Sequence, residues 1–79
     1  QARSRERRKL EKLVDGFEAD IARLEAKQGV LTTELEDPAT YQKPGRAVAV
    51  NRDLQYILED LGRVTKEWED AASRLEALT

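Results

Sequence analysis

The sequence predicts an all-α fold, a two-helix antiparallel coiled-coil hairpin. Two apolar series support this prediction, because each repeats at alternating steps of three and four residues, the spacing that forms one stripe along a helix. One series lies within residues 10–36 and the other within residues 47–78, and a segment with two prolines and a glycine separates them. Two such stripes joined by a short loop can bury each other if the second helix folds back along the first.

The first helix is expected over residues 10–36, and a basic lead-in at residues 1–9 extends it back to about residue 4. Ala, Leu, Glu, Lys and Arg dominate this stretch, and no proline interrupts it, which favours a long helix. Pro38 is expected to end the helix, because a proline disfavours the helical conformation in the residue before it. The stripe, which has one polar member, consists of Leu10, Val14, Phe17, Ile21, Leu24, Gln28, Leu31 and Leu35.

The loop is expected over residues 37–46, with Tyr41 folded back on the helix ends, and the second helix over residues 47–78. Antiparallel pairing of the two stripes in a single register places Leu35 opposite Val50 and Phe17 opposite Trp68. At 1.5 Å per residue the rod would be about 45 to 50 Å long. The stripe of the second helix consists of Val50, Leu54, Ile57, Leu61, Val64, Trp68, Ala71, Leu75 and Leu78.

Two leucines, Leu13 and Leu58, lie beside the stripes rather than in them. They either broaden the contact between the helices or form a surface for another domain or a second copy of the chain. We therefore expect a monomer that forms at most a weak dimer. Gln28 is the one polar residue in the first series, and a polar residue in a buried layer is a known marker of register.

The composition excludes most catalytic and membrane functions. The 79 residues include no His, no Cys and no Met, and only four are aromatic, so the usual zinc and haem ligands are missing. The chain contains no phosphate-binding glycine pattern and no apolar run near the roughly 20 residues that span a bilayer. We expect no catalytic residue, no metal or cofactor in this fragment, no membrane partner and a cytoplasmic location. The missing initiator Met is expected of a piece excised from a longer protein.

Basic residues are concentrated at the start of the chain. Six of the 14 Lys and Arg residues lie in the first twelve positions, although the net charge is −2. Such a cluster at one end of a rod can neutralise phosphates, giving salt-sensitive binding that does not depend on base sequence; a solvated helix end is the alternative interpretation. The candidate nucleic-acid-binding residues are Arg3, Arg5, Arg7, Arg8, Lys9 and Lys12, and additional contacts are expected from Lys43 and Arg46 at the tip.

Several local patterns give nearly the whole chain a family resemblance. They are the basic lead-in at 5–9, the helical segment 21–26, the Asp-Pro-x-x-Tyr turn at 37–41, and Trp-Glu at 68–69 followed by the closing segment 75–78. Together they resemble the C-terminal domain of ABC-F ATPases, particularly the Uup type. The N-terminal hairpins of peptide release factors also have an Asp-Pro turn, but the Trp-Glu pair and the basic start favour the ABC-F family. The Pro-Gly pair at 44–45 departs from the family pattern.

The resemblance implies a coiled-coil hairpin that follows the second nucleotide-binding domain of a tandem ATPase without membrane domains. ATP binding and hydrolysis would belong to those nucleotide-binding domains, which would also be partners of the hairpin. Family members act on ribosomes, and the Uup domain is associated with DNA binding. The resemblance therefore implies a non-catalytic domain that binds DNA, largely without sequence specificity, through the region of Arg3 to Lys12. The alternatives are an arm that contacts ribosomal RNA, or a structural module that packs on the ATPase domains or self-associates.

Overall fold

The computed structural model describes residues 2–79, so Gln1, the first residue of the predicted lead-in, lies outside the described residues. Helix α1 spans Ala2–Glu36, a short 3-10 helix spans Pro38–Gln42, and helix α2 spans Arg46–Ala77. The two long helices pack along each other, and residues 2–79 contain no strand. The prediction of an all-α antiparallel hairpin is confirmed, and α2 begins and ends one residue earlier than expected.

Polar contacts between α1 and α2 fix the register of the hairpin. At the base of the rod, Arg3 donates a hydrogen bond of 2.9 Å to the carbonyl oxygen of Leu78. Near the middle of the base half, the indole N–H of Trp68 donates to a carboxylate oxygen of Glu18 at 3.2 Å. Glu18 follows Phe17 in the sequence, so this bond places Trp68 at the height where the predicted register sets it opposite Phe17.

The core is a narrow seam rather than a broad interior. Most members of the two predicted stripes, including Gln28, are only partly buried. Leu13 and Leu58 remain 42% and 43% exposed, so a large part of each side chain is free to meet another surface. The fully buried hydrophobic residues, with exposures of 0 to 5%, are Leu10, Leu24, Val50, Val64 and Ala71.

The rod is longer than predicted. Its Cα atoms extend over 61 × 15 × 13 Å, whereas the expected length was about 45 to 50 Å. Helix α1 begins two residues earlier than expected, and its 35 residues alone measure about 52 Å. The extent also includes the segment between α1 and α2, which the expected length left out.

Side chains of the tip close the C-terminal end of α1. Asp37 caps the 3-10 helix through its carboxylate. Thr40 is 2% exposed, and its hydroxyl donates to the carbonyl oxygen of Glu34. The phenol of Tyr41 donates to the carbonyl oxygen of Leu35 at 2.6 Å, which confirms that this residue folds back on the helix end. Two carbonyl groups that the last turn of a helix leaves without partners are thereby satisfied.

Gly45 is the position at the tip that requires glycine. Its φ is +73°, a left-handed conformation that costs other residues roughly 1 to 2 kcal/mol. We therefore expect Gly45→Ala to lower the free energy of unfolding by about 1 kcal/mol. Gly62→Ala is the matched control, because it lies inside α2 with open space around an added Cβ atom and should stabilise by about 0.5 to 1 kcal/mol. Urea unfolding followed by circular dichroism measures the change in unfolding free energy of both variants, and equal changes of the same sign would contradict the expectation.

Candidate nucleic-acid interface

Four basic side chains share one exposed face at the base of α1. Arg5, Arg8, Lys9 and Lys12 are spaced at three- and four-residue steps, so they are neighbours on the helix surface. They line a shallow groove of about 330 Å³, and all four are exposed. The face points away from α2, because the stripe that packs on α2, beginning with Leu10, lies on the opposite side of the helix. We call these four residues the basic patch.

The basic patch carries uncompensated charge. Among residues 2–79, no carboxylate lies within 4 Å of any of its four cationic groups, although six ion pairs occur elsewhere along the hairpin. A Lys or Arg that is already paired must give up its partner before it can meet a phosphate. The patch requires no such exchange, so its cations are available to anions from solution.

Two of the six predicted residues have other contacts. Arg3 donates hydrogen bonds of 2.9 and 3.3 Å to the carbonyl oxygen of Leu78 at the end of α2, where the helix dipole favours a cation. Arg7 lies 3.9 Å from Glu11 one turn along α1, an exposed pair of the kind that contributes little to stability. The structure thus brings four of the six residues together in one groove and places Arg3 and Arg7 on the side of α1 that faces α2.

A second ion pair joins the helices near the base. The guanidinium of Arg74 in α2 lies 3.4 Å from the carboxylate of Glu6 in α1. Together with the bond from Arg3 to Leu78, it joins the two helices at the base of the rod, on the side of α1 opposite the basic patch.

At the tip, the two predicted contact residues differ in availability. Lys43 is exposed, and no carboxylate of the described chain lies within 4 Å of its ammonium group. Arg46 instead forms a two-pronged ion pair with Glu34, with Nη2 at 2.7 Å from Oε1. Hydrogen bonds from Arg46 hold the pKa of Glu34 below its usual value, and the same carboxylate raises the pKa of Arg46. The pair therefore stays charged and ties α1 to α2 at the tip.

A second surface groove, which the sequence did not predict, lies between the helices in the tip half of the rod. It has a volume of about 530 Å³. Val30 and Tyr56 are 67% and 58% exposed there, and both lie outside the two stripes. Lys27 on α1 and Asp53 on α2 supply one charge of each sign. The lining residues are Ala26, Lys27, Val30, Leu31, Asp53, Tyr56 and Ile57.

Residues 2–79 contain neither a cluster of metal ligands nor a helix suited to a membrane. No three acidic, histidine or cysteine side chains lie close enough together to hold a metal ion. No helix within residues 2–79 combines the length and the apolar character that crossing a membrane requires.

Comparison with known proteins adds one finding to this geometry. Residues 3–73 match the family model of the ABC transporter C-terminal domain. The matched range includes the basic patch, the Asp-Pro turn and the Trp-Glu pair, which are among the features on which the resemblance was based. No match was found among curated proteins or among solved structures. The match and the two-helix hairpin confirm the resemblance to the C-terminal domain of ABC-F ATPases, and the chain belongs to the ABC transporter C-terminal domain family.

Proposed function

We propose that this chain is a non-catalytic domain of an ABC-F ATPase and that it binds DNA through the basic patch, largely without sequence specificity. The observation that carries the proposal is the set of four exposed cations in one groove without a carboxylate partner. Each cation that neutralises a phosphate releases a condensed counterion, and this release drives binding. ATP binding and hydrolysis belong, in this proposal, to the nucleotide-binding domains of the parent protein.

The composition of the patch favours a duplex backbone over unpaired bases. Proteins that hold single strands place aromatic side chains beside their basic groove, so that bases can stack on them. The groove of the basic patch is lined only by Arg and Lys, and Phe17, the one aromatic residue of α1, is partly buried in the seam. Lys and Arg on a helix surface contact phosphates, which fixes position without reading the sequence.

In this proposal the hairpin anchors its ATPase to DNA in the cytoplasm. The basic patch lies at the base of a rod 61 Å long, and the tip with Lys43 lies at the other end. A short duplex bound at the patch therefore leaves the tip free, and the nucleotide-binding domains are partners that the family assignment suggests. An arm that contacts ribosomal RNA is the alternative, and a duplex RNA probe distinguishes the two.

The proposal predicts a defined response to salt. Four phosphate contacts give a slope of about −4 for log affinity against log salt concentration, so affinity should fall roughly 100-fold between 50 and 200 mM salt. Further cations would make the slope steeper. Titrations of a labelled 20-base-pair DNA duplex at several salt concentrations, followed by fluorescence anisotropy, measure this slope. Absence of binding at 50 mM, or an affinity that does not change with salt, would overturn the proposal. Tighter binding to an RNA duplex of the same length would reassign the partner to RNA.

The groove beside Tyr56 favours self-association as a second candidate function. Its walls carry Lys27 and Asp53 on opposite helices, so a two-fold axis would place each charge against its opposite on a second copy of the chain. The exposed rings and methyl groups of Tyr56 and Val30 would supply the apolar contact. Sedimentation equilibrium over a range of concentrations tests this function, which requires a dimer that Tyr56→Ser weakens; a monomer at every concentration would exclude it.

A further inference from the structure

The outward face of α1 continues beyond the basic patch toward the middle of the rod. Steps of three and four residues from Lys12 lead to Gly16, Ala19, Arg23 and Lys27, and all of these positions are exposed. Lys27 lies at the edge of this face, where it also borders the groove beside Tyr56. Asp15 and Asp20 lie beside this line, three residues from Lys12 and from Arg23 respectively, but neither carboxylate lies within 4 Å of a cationic group of α1.

Arg23 and Lys27 share the property that makes the basic patch a candidate site. Among residues 2–79, no carboxylate lies within 4 Å of either cationic group, whereas three arginines of α2 that are similarly exposed each have an acidic partner. Those arginines are Arg52, Arg63 and Arg74. The two helices of the hairpin therefore differ: α1 has exposed cations without an acidic partner in two places, the basic patch and Arg23 with Lys27, while each arginine of α2 has an acidic partner.

We propose that Arg23 and Lys27 form a second phosphate-binding cluster, so that a DNA duplex lies along the outward face of α1 and contacts it at two places. This inference rests on the proposed function and extends its binding site. Arg5 and Lys27 are 22 positions apart, or about 33 Å along the helix. That distance is close to one turn of duplex DNA, about 34 Å. The footprint is therefore about ten base pairs.

The middle of this face suits close contact between helix and duplex. Gly16 and Ala19 lie between the two clusters and present no side chain larger than a methyl group. A duplex that touches both clusters has to pass over this stretch, and a long side chain here would hold it away from the helix. The small residues by themselves indicate no site, but between two basic clusters they leave room for the duplex to approach the helix, with Asp15 and Asp20 to either side of its path.

Replacing Arg23 and Lys27 together by glutamine tests the second cluster. Glutamine is uncharged and a good helix former, and both positions are exposed, so the fold should persist. With six phosphates contacted by the wild type and four by R23Q/K27Q, the salt slope should change from about −5 to about −4 and the affinity at 0.15 M salt should fall about 30-fold. R52Q/R63Q is the matched control, because it removes two charges from exposed, paired arginines of α2 and should change the affinity less than threefold.

The outcomes separate the inference from the function on which it rests. An unchanged slope and affinity for R23Q/K27Q, with a wild type that binds in a salt-dependent way, would overturn the second cluster and leave the proposed function standing. Failure of the wild-type hairpin to bind DNA at 50 mM salt would overturn both.

Duplex length gives a second measurement. Lys12 and Arg23, the nearest members of the two clusters, are 11 positions apart, or about 16.5 Å along the helix. A DNA hairpin with a 4-base-pair stem is about 14 Å long, at about 3.4 Å per base pair, and reaches only one cluster, whereas a 14-base-pair stem reaches both. R23Q/K27Q should therefore lose affinity for the long stem and change its affinity for the short stem at most about twofold. Equal losses on the two stems would contradict a footprint that joins the clusters.

Discussion

Replacing Arg5, Arg8, Lys9 and Lys12 together by glutamine is expected to weaken the binding of duplex DNA about 1000-fold at 0.15 M salt. Each phosphate contact contributes about 0.9 to the salt slope, which at this concentration amounts to roughly 0.7 log unit of affinity. Four contacts therefore supply about three log units. Non-specific dissociation constants usually lie between about 10⁻⁴ and 10⁻⁶ M, so binding by this variant should become undetectable in an anisotropy titration.

A variant of α2 with the same change in net charge distinguishes a local site from general attraction. R52Q/R63Q/K66Q/R74Q also removes four positive charges, and all four positions are exposed. Its affinity for duplex DNA should fall less than tenfold, because the four charges lie off the outward face of α1 and three of them are already paired. Equal losses by the two variants would show that affinity follows net charge alone. Circular dichroism of both variants verifies that the helices remain formed.

Leu24→Ala is expected to lower the free energy of unfolding by about 3 kcal/mol. Leu24 is 3% exposed, and truncating a buried leucine removes apolar contacts and leaves a cavity, at a cost of roughly 2 to 5 kcal/mol. A chain of 79 residues is expected to have a total stability of roughly 4 to 12 kcal/mol. Because only five hydrophobic residues within residues 2–79 are buried, one such truncation removes a large share of this stability.

Leu13→Ala provides the control for Leu24→Ala, since the same substitution is made in the same helix at a residue that is 42% exposed. It should cost less than about 1 kcal/mol, the usual range for a surface position. Urea unfolding followed at a helical wavelength measures both variants. Equal losses of unfolding free energy for the two variants would mean that another surface covers Leu13 in solution. If the loss for Leu13→Ala rises with protein concentration, that surface belongs to a second copy of the chain.

The pairing of the helices was predictable because it follows from a regular spacing. Steps of three and four residues determine which side chains face the partner helix, and a single register satisfied every layer from Leu35 and Val50 at the tip to Leu10 and Leu75 at the base. Pro38 marks the end of α1 for a local steric reason. These are properties of short segments, so the fold class needed no knowledge of distant contacts.

The contacts that close the two ends of the rod could not be obtained in this way. Arg3 meets Leu78 and Arg46 meets Glu34 only after the hairpin has formed, and a sequence rich in charged residues offers many other pairings. The initial set of six basic residues therefore did not distinguish the cations of the patch from Arg3, which is bound to the end of α2. The spacing that leads from Lys12 to Arg23 was visible in the sequence, but the absence of acidic partners required coordinates.

The elongated form of the hairpin affects how its mass should be measured. A compact protein of this length would have a radius of gyration of about 12 Å, whereas the value here is 17.7 Å. The molecule therefore tumbles and diffuses more slowly than a globular protein of 9.0 kDa, and it should leave a gel-filtration column early. A single chain would then elute where a globular dimer is expected, and only a mass determined independently of friction can distinguish the two.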